Sequence, residues 1–134
     1  RGLGDVYKRQ VLDELEALSD VTLEMEVEVL NNVDQATFGF ALMKSAEEPM
    51  ASFFTTDVEG VEKGPFKKGD RFTVSLVVRS FAMRVGGFYV LCGLADETGL
   101  LWYETKFSKQ LTVKANKGVG PIAMAADWQV SRKR

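Results

Sequence analysis

The sequence predicts an all-β fold, an antiparallel β-sandwich of the immunoglobulin-like or jelly-roll type. In residues 67–96 two strand patterns follow each other with glycine between them and no helical pattern. Polar and apolar residues alternate with a period of two in several other segments, as in half-buried strands. Turn-forming residues recur between these segments and divide the chain into about seven or eight short strands.

The predicted strands are short and are bounded by glycine, proline, asparagine or aspartate. They span residues 21–29, 35–43, 50–56, 72–78, 88–94, 100–105, 109–114 and 122–130. In the first of them, Glu24, Glu26 and Glu28 share one face, which must therefore lie in water. In the second, Gly39 and Ala41 lie opposite the larger apolar side chains and leave room for a close neighbour.

The two ends of the chain differ from its middle. Residues 1–10 resemble translated sequencing-adapter bases, so we interpret them as a non-native segment outside the fold. Residues 11–130 form the predicted sandwich, which would lack its first strand, and residues 131–134 form a solvated tail. Leucines spaced by three in residues 11–18 allow one or two helical turns. The absence of a starting methionine suggests a fragment, and a lost first strand would expose a sheet edge.

Composition removes several classes of function. The chain has 134 residues and a formal net charge of −2, which gives no field to concentrate nucleic acid. It has no histidine, and so lacks the commonest general base and most zinc sites. The single cysteine, Cys92, alternates with Val90 and Leu94 and is predicted to be a core residue. No apolar run approaches the ~20 residues that span a bilayer.

Carboxylate pairs offer little support for catalysis. Glu47 and Glu48, like other neighbouring acidic residues, lie in predicted turns, where they stay in water instead of facing each other in a desolvated site. Asp96, Glu97 and Thr98 gather oxygens on one loop, but they lack the regular spacing of a calcium loop. We therefore predict that the chain is not an enzyme and has no catalytic residue, metal site or cofactor.

Adjacent aromatic residues give the strongest indication of binding. Trp102 and Tyr103 must face opposite sides of a strand, so one of them is predicted to be exposed and could stack on a sugar ring. The alternative is that one packs in the core and the other is a surface aromatic without a ligand. We predict a carbohydrate site at Trp102, Tyr103 and Glu104, with Thr73 and Ser75 as its polar lining if the wet face of the sheet forms the groove.

Several short motifs in a fixed order resemble a known family. They are FGFAL at 38–42, SFFTT at 52–56, GD at 69–70, GFYVL at 87–91, GLAD at 93–96 and WQV at 128–130. Together they resemble the C-terminal domain of Wzt-type proteins, the ATP-binding subunits of ABC transporters that export O-antigen and related polysaccharides. The resemblance covers about residues 20–130 and concerns framework positions.

The resemblance implies an immunoglobulin-like sandwich that binds the exported glycan, often at its modified non-reducing end. It implies a homodimer in which the last strand, here residues 122–130, is exchanged between protomers. It also implies a cytoplasmic location at the bacterial inner membrane, with the transporter's membrane subunit reached through an absent parent domain. No GxxxxGK[ST] motif occurs, so no ATPase activity is expected here. A structural or adhesive immunoglobulin-like module without sugar binding is the alternative function.

Overall fold

A computed structural model describes residues 4–8, 14–56, 58–84, 86–114 and 117–132. Within these ranges every regular element is a β-strand, and no helix long and apolar enough to cross a membrane is found. The strands are β1 (Gly4–Lys8), β2 (Glu14–Glu16), β3 (Val21–Val29), β4 (Thr37–Ser45), β5 (Glu48–Phe54), β6 (Arg71–Val78), β7 (Gly86–Ala95), β8 (Trp102–Phe107) and β9 (Leu111–Lys114).

The strands form two sheets, so the predicted all-β sandwich is confirmed. The small sheet has the order β1-β3-β6, and the large sheet has the order β2-β9-β7-β4-β5. One edge of β7 is shared, because its first residues pair with β9 and its last residues pair with β8. All pairings are antiparallel except that of β2 with β9. Strand β7 is therefore the centre of the large sheet.

The core lies between the two sheets and follows from the period-two alternation. In β3 the odd-numbered residues from Val21 to Val29 are buried, while the glutamates between them reach solvent. Phe38 and Phe40 on β4 and Leu94 on β7 meet these side chains from the large sheet. Cys92 is fully buried in the same cluster, as predicted. Each fully buried apolar side chain of this size contributes roughly 1.5–3 kcal/mol.

The N-terminal segment takes part in the fold, contrary to expectation. Strand β1 pairs with β3 from Gly4 opposite Val29 to Lys8 opposite Met25 and covers that edge of the small sheet. Val6 and Tyr7 favour extended backbone, and the ladder itself uses backbone groups that any residue supplies. The origin of residues 1–10 as a non-native segment stays a prediction. The expected helical turns at residues 11–18 are also wrong for the described part, since β2 pairs parallel to β9.

The predicted last strand at residues 122–130 does not form within the chain. Ile122 makes an isolated bridge with Met83, and buried Ala123 donates its N–H to Ala82 O at 2.6 Å. Trp128, which near the end of a terminal strand is interpreted from the sequence as a packed residue, is 92% exposed and does not pack within its own chain. A strand needs a neighbour for its backbone groups, and no described residue of the same chain pairs with residues 124–132.

Arg84 holds the start of this segment against the sandwich. Its guanidinium donates to Lys117 O at 2.7 Å and to Ile122 O at 3.3 Å, while its backbone N–H donates to Pro121 O at 2.7 Å. The chain is therefore fixed as far as residue 123, and the described residues after it are exposed.

Candidate binding face of the large sheet

The sequence-predicted site residues lie on opposite sides of the sandwich. Trp102 begins β8 and points to the outer face of the large sheet, whereas Tyr103 packs against the core. Glu104 lies beside them, opposite Leu94 in the register. Thr73 and Ser75 are exposed on β6, on the outer face of the small sheet. The structure therefore does not bring the polar pair to the aromatic residues.

A shift in the register of β8 decides which aromatic faces outward. Thr105 pairs with Gly93 and Glu104 pairs with Leu94, so regular pairing would continue with Tyr103 opposite Ala95. The ladder shifts between Leu94 and Ala95, and Ala95 faces Trp102 instead. One extra residue in a strand reverses the faces of the residues beyond it. The shift therefore exposes the indole and buries the phenol ring.

Trp102 and Phe54 form an aromatic pair, which we call the platform. Their ring centroids are 5.2 Å apart with an interplanar angle of 55°. Phe54 ends β5 and is 44% exposed, and Trp102 is partly buried. The two residues belong to strands on opposite sides of β4 and β7, so the side chains reach toward each other across the middle of the sheet.

Two glycines make room for the platform. Gly39 on β4 and Gly93 on β7 are direct partners across the ladder. A Cβ atom on Gly39 would lie 2.6 Å from Trp102 Cη2 and 2.7 Å from Phe54 Cδ1, and one on Gly93 would lie 3.0 Å from Trp102 Cε3. Both distances to the indole are shorter than ordinary contact, so the rings rest directly on backbone. The sequence prediction of a close neighbour at Gly39 is confirmed.

The two ladder rows beneath and beside the platform, which together with it we call the platform face, consist of uncharged side chains. Gly39 and Gly93 share a row with Phe54 and Thr105, and the next row contains Ser52, Ala41, Leu91 and Phe107. Ala41 and Met43 are buried but lie outside the core cluster, because their neighbours on this face cover them. Phe107 remains 46% exposed. The face is thus apolar with hydroxyl groups at Ser52 and Thr105.

The outer face of the small sheet differs in charge. Thr73 borders an open groove of about 270 Å³, whose other lining residues are Glu26, Val27, Glu28, Arg71 and Phe72. Arg71 Nη2 lies 3.1 Å from Glu28 Oε1 across the strand pair. Nowhere among the described residues do three acidic or cysteine side chains gather as metal ligands.

The turn between β7 and β8 positions the start of β8, where Trp102 lies. The Asp96 carboxylate accepts hydrogen bonds from the Thr98 hydroxyl at 2.6 Å, from Thr98 N at 3.1 Å and from Leu101 N at 3.4 Å. The Thr98 hydroxyl is the main reason that the pKa of Asp96 is lowered; desolvation opposes it, and the backbone donors lower the pKa further. The ionised carboxylate therefore stabilises the turn that precedes Trp102.

We expect this turn to lose stability in acid. Because the folded pKa of Asp96 is lowered, its contribution is present above the unfolded pKa of about 3.9 and is lost as the pH falls through the folded value. The Asp96→Ala variant should therefore have a lower urea midpoint than the unaltered chain at pH 7, and the difference should shrink at pH 3. Asp127→Ala, at an exposed position of the C-terminal segment, is the control. An equal difference at both pH values would contradict the assignment.

Comparison with known proteins bears on the fold. The chain matches no family model and no curated protein sequence. The crystal structure of the C-terminal domain of Wzt superposes with a TM-score of 0.73, at 12% identity, over 98% of this chain and 86% of that one. The chain shares the fold of the Wzt C-terminal domain. The resemblance that the short motifs indicate is confirmed at this level.

Other solved structures share parts of the same architecture. A Niemann-Pick type C2 protein from Japanese carpenter ant has a TM-score of 0.59 at 12% identity, over 84% of this chain and 93% of that one. A β-glucosidase from Listeria innocua, in complex with glucose, has a TM-score of 0.56 at 12% identity, over 84% of this chain but 16% of its own. The Wzt C-terminal domain covers more of the chain than either of these two.

Proposed function

We propose that this chain is a non-catalytic carbohydrate-recognition domain that binds its glycan on the platform face. The observation that carries the proposal is the platform itself, a partly exposed Trp102–Phe54 pair on a two-glycine seat. The fold shared with the Wzt C-terminal domain supports the same function. The glycan would be an O-antigen or related polysaccharide, bound in the cytoplasm at its non-reducing end before export. The transporter's membrane subunit would be reached through a parent ATP-binding domain.

The chemistry of the platform face suits a sugar ring. The C–H groups of a pyranose are slightly positive and pack against the negative face of an indole. Ser52 and Thr105 flank the platform and can donate to or accept from sugar hydroxyls. Because the face is open and covers few sugar atoms, we expect affinities in the ~µM–mM range. Such weak binding would release the glycan readily.

A titration monitored by NMR tests the proposed function. Oligosaccharides from bacterial O-antigens are added to the ¹⁵N-labelled full chain, and backbone amide shifts are followed. We expect the largest shifts at Gly39, Gly93 and Trp102, with Thr73 and Ser75 unchanged, because those two lie on the other sheet. Shifts centred on Thr73 would move the site to the groove of the small sheet. No shift with any oligosaccharide would instead favour a structural or adhesive module, whose protein partner would cover the apolar platform face.

We also propose that the C-terminal segment pairs with a second copy of the chain, as the Wzt resemblance implies. Met124, Trp128 and Val130 are 80%, 92% and 92% exposed, an unfavourable state for apolar side chains in a monomer. Arg84 fixes the chain up to residue 122, so the following residues can extend to another protomer. Exchange of the part of residues 122–130 that follows Ala123 would give these side chains a strand neighbour and a second sheet edge.

Sedimentation equilibrium measures this expected dimer. The full chain should sediment as a dimer, and Trp128→Ala should shift it toward monomer by at least tenfold in dissociation constant, since large buried aromatics dominate interface energies. Val119→Ala alters another exposed apolar side chain (93% exposed) outside the exchanged segment and should leave the equilibrium unchanged. A monomeric full chain, or equal effects of the two variants, would contradict the exchange.

A further inference from the structure

We propose that the glycan segment recognised by the platform face is uncharged and presents an apolar substituent, such as a deoxy carbon, an O-methyl or an O-acetyl group. This inference rests on the proposed function and specifies its ligand. It follows from two properties of the platform face, its lack of charge and the size of its exposed apolar surface.

The described residues on the platform face offer no partner for an ionised ligand. The two rows around the platform contain glycine, alanine, serine, threonine, leucine and phenylalanine, and Trp102 lies over Gly39 and Gly93. Lys106 is close in sequence, but it pairs with the core residue Cys92 and therefore lies on the other pleat of β8. A carboxylate or phosphate on this face would lose water without gaining a cation, which is strongly unfavourable.

The apolar surface exceeds what the sugar-ring C–H groups alone would cover. Phe54 and Phe107 remain 44% and 46% exposed at opposite sides of the face, about three strand spacings or ~14 Å apart. Only hydroxyls, those of Ser52 and Thr105, flank this surface within the two rows. A fully hydroxylated sugar pressed onto the phenylalanines would leave polar groups without partners. A methyl group there would gain about fourfold in affinity for each buried carbon.

Three probes that differ at a single carbon test the inference. They are oligosaccharides of α-D-rhamnose, α-D-mannose and α-D-mannuronate of equal length and linkage, which carry CH₃, CH₂OH and COO⁻ at C6. Dissociation constants are obtained from the amide shifts of Gly39 and Gly93 in the full chain. The mannoside must bury its C6 hydroxyl without a partner, so we expect the rhamnoside to bind about fourfold more tightly than the mannoside. The mannuronate should bind at least tenfold more weakly than the mannoside.

A charge placed on the platform face provides the matched variant. Thr105→Lys adds an ammonium group beside Gly93 and should raise the affinity for the mannuronate at least tenfold relative to the affinity for the rhamnoside. Thr73→Lys adds the same charge to the exposed outer face of the small sheet and should change neither probe. Both substitutions are at exposed strand positions, so the fold is expected to persist, and the dispersion of amide signals verifies this.

The outcomes separate the inference from the function on which it rests. Equal affinities for the three probes, or tightest binding of the mannuronate by the unaltered chain, would overturn the inference while the carbohydrate-binding function stands. Absence of binding by all three probes and by O-antigen oligosaccharides would overturn both. Preference for the rhamnoside that Thr105→Lys redirects toward mannuronate, without a change in Thr73→Lys, would support both.

Discussion

Replacing Trp102 with alanine is expected to weaken binding of O-antigen oligosaccharides by about tenfold to a hundredfold. The indole is half of the platform and covers the backbone at Gly39 and Gly93, so its loss removes the stacking surface and opens a gap above the glycines. Binding energy concentrates in a few aromatic side chains, whose truncation costs about 2 kcal/mol or more. Isothermal titration calorimetry with the oligosaccharide that binds most tightly to the unaltered chain measures the change.

Trp128 supplies the matched control for this prediction. It is the second tryptophan of the chain, is 92% exposed and lies in the C-terminal segment, outside the platform face. Trp128→Ala should leave the affinity within twofold. A second variant, Gly39→Ala, keeps both rings but adds a methyl group where they rest, and it should weaken binding without removing an aromatic. Equal losses in Trp102→Ala and Trp128→Ala would refute the platform.

The largest loss of stability is expected from Phe88→Ala. Phe88 is fully buried on β7, and its ring lies 5.4 Å from that of Phe81, which is also buried. Truncation leaves a cavity at the centre of the large sheet, which costs about 3–5 kcal/mol in the free energy of unfolding. That is a large part of the ~5–15 kcal/mol that holds a domain folded. The melting temperature should fall by roughly 10–20 °C.

Urea unfolding followed by circular dichroism measures this loss. Phe107→Ala removes the same ring from a position 46% exposed on the same sheet and should change the free energy of unfolding by about 0.5 kcal/mol or less. A Phe88→Ala variant as stable as Phe107→Ala would contradict the assignment of Phe88 to the core. A loss in Phe107→Ala as large as that in Phe88→Ala would contradict its surface position.

Strands could be predicted from the sequence where one face of the strand is buried and the other faces solvent. The alternation in residues 21–29 and 72–78 matches β3 and β6, which pair residue by residue from Val21 opposite Val78. Where a segment is a strand only because it pairs with a neighbouring strand, its local sequence pattern does not predict it. β1 and β2 are short, and their partners are β3 and β9, far along the chain. Residues 124–130 show the converse, since they continue an alternating pattern but pair with no described residue of the chain.

The candidate site was only partly predictable for the same reason. The sequence indicates that Trp102 and Tyr103 face opposite sides, but the register shift after Leu94 decides which of them is exposed. Period-two alternation identifies the solvent-facing side of β6, but it does not show in which of the two sheets β6 lies. Thr73 and Ser75 were therefore grouped with Trp102, from which the sandwich separates them. Phe54 was not among the predicted site residues, because its place beside Trp102 depends on the pairing of Gly39 with Gly93, which the local sequence does not show.

By itself, the sequence determined the all-β class, the core faces, the buried cysteine and the motifs that resemble the Wzt C-terminal domain. These depend on local alternation, on side-chain type and on the order of short segments, all of which can be read along the chain. The tertiary structure decided that Gly39 meets Gly93 and that Phe54 and Trp102 meet above them. It also decided that residues 4–8 form a strand and that Trp128 lies in solvent. Each of these depends on which strands become neighbours and on the register in which they pair. Both are set by how the whole chain buries its apolar side chains.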